Sequence, residues 1–164
     1  MYDAGNSGWS SLRDAQRRFV VEDPASGLVV VLGAGDPWDI HPPNKQEPAR
    51  RAAPVWAAVN TDAPIRTGYS PDSITRKGNT IRITLPQTDR PYLIAGSDAP
   101  IGFSLCDTDG TCRFATASLS GRVLELRNAP RRTRLVRYCR SDTPACNLMS
   151  PDGVPVTPFE LKVP

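Results

Sequence analysis

Leu28-Val29-Val30-Val31-Leu32 constrains this chain more than any other stretch, because it is continuous, apolar and β-branched at its centre. Such a run fits a strand buried on both faces, as in a parallel sheet. A parallel strand needs neighbours, and the chain offers no second run of this kind. The run is therefore expected to belong to the end of a larger α/β domain. Before it, Ser10-Ser11 are suited to cap a helix through Leu12, Ala15, Gln16, Phe19 and Val20, with Arg13, Asp14, Arg17 and Arg18 on the wet side. After it, a Gly- and Pro-rich loop over 33–43 leads to a helix from about Asn44 to Val59. Pro48 and Pro54 interrupt that helix, and Pro54 is expected to kink it or end it early.

The rest of the chain differs in kind. Short alternating runs follow one another: Thr80–Leu85, Tyr92–Ile94, Ile101–Leu105, Arg113–Ala117, Arg122–Leu126 and Thr133–Tyr138. Turn residues separate them at the intervals of an antiparallel sandwich. With 17 prolines and 12 glycines in 164 residues, turns and short strands are favoured over long helices. The division expected is an α/β segment over 1–60, a linker over 61–77 and a β-rich domain over 78–164.

Four cysteines form two local pairs, Cys106 with Cys112 and Cys139 with Cys146. Structural zinc sites usually pair cysteines two to four residues apart, so a four-cysteine zinc site is the weaker reading. Asp107-Thr108-Asp109-Gly110 is a good hairpin turn inside the first pair, and Ser141-Asp142-Thr143-Pro144 is turn-like inside the second. Two short-range disulfides are expected, which places the protein in an oxidising compartment. The N-terminus has neither a basic leader nor an apolar stretch, so no signal peptide is read there; made as written, the chain would stay in the cytoplasm. The two expectations conflict, which suggests that the natural start lies elsewhere. No apolar window is long enough to span a membrane. The net charge of +3 comes from small arginine clusters interspersed with acids, and no nucleic-acid motif accompanies them. No metal or cofactor motif is present.

The stretch Gly35-Asp36-Pro37-Trp38-Asp39-Ile40-His41-Pro42-Pro43-Asn44-Lys45-Gln46, continuing to Ala49-Arg50-Arg51-Ala52, resembles the last active-site block of the sialate O-acetylesterase branch of the SGNH hydrolases. There the pattern runs approximately G-D-x-x-D-I-H-P-x-N-K-Q. Trp9 with Leu12-Arg13-Asp14-Ala15-Gln16 resembles the helix that precedes that block. Val136-Arg137-Tyr138, Asn147-Leu148 and Gly153–Phe159 resemble the end of the family's β-rich accessory domain. The resemblance implies the end of a three-layer α/β/α domain followed by a β-sandwich-like domain. It also implies a secreted or periplasmic serine ester hydrolase that removes O-acetyl groups from sialic acid or a related sugar.

The chemistry suits the residues. A serine nucleophile needs a base within hydrogen-bond reach and a neighbour that orients the base. His41 is the one histidine of the chain, on a loop after an apolar run, and is the expected base. Asp39, two residues earlier, is the expected orienting carboxylate, with Asp36 as the outside candidate. Related hydrolases place that Asp three residues before the histidine, where this chain has Trp38. The family's serine block and its oxyanion donors are missing. Ser7 and Ser97 lie near glycines, but neither follows a buried strand and opens a helix. The chain alone is therefore expected to be inactive, with the serine supplied by an upstream segment or chain. A non-catalytic carbohydrate-binding or structural sandwich module is the alternative. Its aromatic residues Tyr92, Phe103, Phe114, Tyr138 and Phe159 mostly alternate as core residues would, which favours the structural role.

Overall fold

The computed structural model describes residues 8–36, 39, 41–61 and 68–164. Two helices come first, α1 (Trp9–Glu22) and α2 (Gln46–Val59). Ten strands follow: β1 (Ser73–Lys77), β2 (Thr80–Thr84), β3 (Leu93–Ile94), β4 (Phe103–Asp107), β5 (Cys112–Ala115), β6 (Ala117–Ser120), β7 (Val123–Leu126), β8 (Thr133–Tyr138), β9 (Leu148–Met149) and β10 (Phe159–Lys162). They form three antiparallel sheets in the orders β1-β2-β7-β6, β10-β8-β4-β5 and β3-β9. The protein is thus mostly β-sheet with two helices. The expected linker over 61–77 contains β1, and its residues 62–67 lie outside the described residues.

Period-two alternation builds the core. Ile81 and Ile83 of β2 and Leu124 and Leu126 of β7 come from one four-stranded sheet. Phe103 and Leu105 of β4, Val136 and Tyr138 of β8 and Phe159 of β10 come from the other, and all nine join a single buried cluster. Each such side chain contributes about 1.5–3 kcal/mol by leaving water. Phe103, Tyr138 and Phe159 stack at centroid distances of 4.7, 5.3 and 6.3 Å. The Tyr138 hydroxyl accepts the Leu148 N–H at 3.1 Å, and burial pushes its pKa well above the ordinary phenol value.

The two cysteine pairs are joined as disulfides, Cys106–Cys112 and Cys139–Cys146. The first crosses the β4–β5 hairpin, whose turn closes through Asp107 N–H to the Thr111 carbonyl at 2.9 Å. Gly110 supplies the left-handed residue there, with φ 84°. Two disulfides fit an oxidising, extracellular-type compartment. Among the described residues no helix is long and apolar enough to cross a membrane.

Three expectations for the first sixty residues need correction. The run Leu28–Leu32 forms no strand and pairs with none among the described residues. Its backbone is held instead by a side chain, because Arg51 of α2 donates Nη1 to the Val30 and Leu32 carbonyls at 2.9 and 2.7 Å. Second, α2 continues through Pro54 to Val59. Pro48 falls in the first turn, where the missing N–H costs nothing. Pro54 and Arg50 both lie on the exposed face, so water can meet the carbonyl freed at residue 50. Third, α1 buries Asp14 and Arg17 of its expected wet side; of its expected inner residues Val20 is buried, whereas Leu12 and Phe19 are exposed, as are Trp9 and Val21. The cause is the open edge of the β10-β8-β4-β5 sheet: the Glu160 N–H of β10 donates to Asp14 Oδ1 at 3.3 Å, and Arg17 Nε pairs with the same oxygen at 2.9 Å. A polar helix face satisfies unpaired edge backbone, which an apolar face cannot do.

Candidate active site

The loop with the histidine hangs between two fixed points. At one end is the run Leu28–Leu32, clamped through Val30 and Leu32 by Arg51. At the other is α2, whose start is marked by Asn44 Oδ1 accepting the Glu47 N–H at 3.3 Å. Glu47 in turn holds Arg51 Nε at 2.7 Å and Arg50 Nε at 2.8 Å. The hydrogen bonds from Arg50 and then Arg51 lower the Glu47 carboxyl from 4.5 to about 2. Arg51 is itself buried, so it acts as a bolt from α2 through to the run, and the sequence alone gave it no such role.

His41 is exposed on this loop. Asp39 is also exposed, and its Oδ1 accepts the His41 backbone N–H at 2.8 Å. This is an Asx-type turn, which fixes the backbone at the histidine. The two residues singled out from the sequence are thus brought together through the amide of His41. Asp36 is exposed nearby in sequence; Pro37, Trp38 and Ile40 lie outside the described residues, as do residues 1–7 with Ser7. Ser97 sits on a surface turn where its Oγ donates to the Ala99 carbonyl at 2.6 Å and accepts from Asn147 Nδ2 at 2.8 Å. Those bonds make it part of a loop brace.

Apolar surface accumulates around the same helices. Trp9 and Phe19 of α1 are each 59% exposed and Trp56 of α2 is 70% exposed, with Leu12, Val21, Val31 and Val59 also open. Scattered apolar residues on a surface are ordinary, but this concentration on the two helices and the unpaired run is not. By contrast, the β-rich part exposes one large aromatic, Phe114, at 93%. Phe114 was expected among the core-type aromatics; it lies on the edge strand β5, where alternation no longer implies a covered face.

Two helices, a histidine loop and three antiparallel sheets make up the described fold. Among solved structures, the chain is similar to a novel carbohydrate acetylesterase from Xanthomonas citri, with a TM-score of 0.81 and 27% identity. The match covers 93% of this chain and 36% of that one, so the chain spans little more than a third of its neighbour's length. No family model and no curated protein matches the sequence.

Proposed function

We propose that this chain is the histidine-bearing end of a carbohydrate O-acetylesterase of the SGNH type, acting on acetylated sialic acid or a related sugar. The structural likeness to a carbohydrate acetylesterase across 93% of the chain carries the reading. The bare apolar faces of α1 and α2 and the run Leu28–Leu32, unpaired among the described residues, support it, since they are what the edge of a three-layer α/β/α domain would present without its other strands. The β-rich part is then a sandwich-like accessory domain, and the whole protein works in the periplasm or outside the cell.

In the reaction, a serine from a segment beyond these 164 residues attacks the acetyl carbonyl. His41 takes its proton and returns it to the departing sugar oxygen, and a water activated by His41 then releases acetate from the acetyl-serine. Asp39 steadies the loop and the imidazolium that forms. Removing the serine from such a triad costs about a million-fold in turnover, so the chain alone should be inactive. The test is p-nitrophenyl acetate hydrolysis by the 164-residue chain and its His41→Ala variant. Equal background rates are expected; a His41-dependent rate would reveal a nucleophile within the chain and sink the split-site reading.

A further inference from the structure

A second site lies away from the histidine loop, on the outer face of the β10-β8-β4-β5 sheet. The strand registers align Glu160, Arg137, Ser104 and Phe114 as successive cross-strand neighbours, one from each strand. Such neighbours sit about 5 Å apart, so their side chains form one continuous row. Arg137, Ser104 and Phe114 of this row line a cleft of about 370 Å³. Its wall is the loop closed by the Cys139–Cys146 disulfide. That loop lies directly on Gly102, where an added Cβ would come within 2.8 Å of the Cys146 Cβ.

The cleft is strongly cationic. Arg113, Arg137 and Arg140 line it, and the lining holds no carboxylate. Behind it, Glu160 is shared by Arg137 at 2.6 Å and Arg140 at 3.3 Å. Asp107 is likewise shared by Arg113 and Arg132, each at 2.6 Å. On the face of the row, two guanidinium groups, those of Arg137 and Arg140, thus share the single carboxylate of Glu160. Asp109 and Asp142 sit on the flanking turns, outside the lining. The Phe114 ring stands almost wholly in water at the rim. A volume of this order holds a sugar residue or two. Guanidinium forks select planar carboxylates, and an open aromatic face suits the apolar side of a sugar ring.

We propose that this cleft binds a sugar carrying a carboxylate, with Arg137 and Arg140 taking the acid group and Phe114 the ring. The inference concerns binding alone and stands apart from the ester chemistry proposed above. It is tested on the 164-residue chain by titrating glucuronate and N-acetylneuraminate while following Phe114 ring and arginine side-chain resonances. Glucose serves as the neutral sugar and acetate as the sugar-free anion. The expected result is saturable shifts with both acidic sugars and binding of glucose and acetate about tenfold weaker or less. Phe114→Ala and Arg140→Gln should each weaken the acidic sugars by about fivefold or more while the far-ultraviolet spectrum is unchanged. Equal binding of acetate would reduce the cleft to an adventitious anion site and overturn the proposal. So would equal binding of glucose, or shifts that never saturate, or a Phe114→Ala variant that binds as the parent does.

Discussion

Replacing Gly102 by alanine tests how the loop closed by the Cys139–Cys146 disulfide is seated on its sheet. Gly102 has φ 97°, a conformation that side chains rarely adopt, and forcing a non-glycine residue there costs about 1–3 kcal/mol. The new methyl would also lie 2.8 Å from the Cys146 Cβ and 2.9 Å from the Ala145 carbonyl oxygen. Neither neighbour is a free side-chain end, because one is tied through the disulfide to Cys139 and the other is backbone. Overpacking of that kind adds about 1–3 kcal/mol. The combined loss of about 2–6 kcal/mol predicts a Tm lower by roughly 5–20 °C in a chain of this size. Gly110→Ala is the matched control: φ is similarly positive at 84°, but nothing lies within 4 Å of the added methyl. It should show the conformational cost alone, about 1–2 kcal/mol. Thermal unfolding under non-reducing conditions reads both. If Gly102→Ala costs no more than Gly110→Ala, the loop does not rest on Gly102, and the wall of the cationic cleft is misplaced.

Other consequences are equally concrete. Arg51→Met leaves the Val30 and Leu32 carbonyls without their donor, so amide exchange in α2 should speed by at least about tenfold, while that in β8 and β2 stays as it was. The low Glu47 pKa has a defined sign: its contribution to α2 is complete above the ordinary value of 4.5 and is lost as pH falls toward about 2, so helix ellipticity should decline in that window. Glu47→Gln should flatten that decline; an unchanged profile would mean that the Arg50 and Arg51 pairs do not hold the helix. Tyr138→Phe keeps the ring stack but removes the partner of the Leu148 N–H, and denaturant unfolding should show a loss of about 1–2 kcal/mol.

The β-rich part was legible where one face is buried and the other wet. Thr133–Tyr138 is a strand at the expected bounds, and Thr80–Leu85 is one but for its last residue, because both carry clean alternation. The Asp107–Gly110 hairpin was legible from its turn chemistry. Strands β1, β9 and β10 were not: β1 fell in the expected linker, and β9 and β10 show no clean alternation of buried and exposed residues. Leu28–Leu32 misled for a different reason: composition reports what a run could pair with, and the described residues hold no such partner. In α1 the face that packs inward joins Val20 of the expected apolar side to Asp14 and Arg17 of the expected wet side, because the open edge of β10 needs a polar partner. Phe114 shows the same limit, because a residue on an edge strand has no neighbour on one side to cover it. At the candidate active site, His41 and Asp39 were singled out by motif resemblance. Arg51, which fixes the run ahead of them, lay in the same resembling block, but nothing in the sequence pointed to its bonds with Val30 and Leu32.

The central claim is that His41 works with a serine supplied from outside these residues. The most direct measurement is the hydrolysis of 9-O-acetylated sialic acid by a polypeptide carrying this chain together with its upstream coding region, beside the His41→Ala variant of the same polypeptide. The account predicts acetate release by the longer polypeptide, a fall of about a million-fold or to background in His41→Ala, and none by the 164-residue chain. Activity of the longer polypeptide that survives His41→Ala would contradict it.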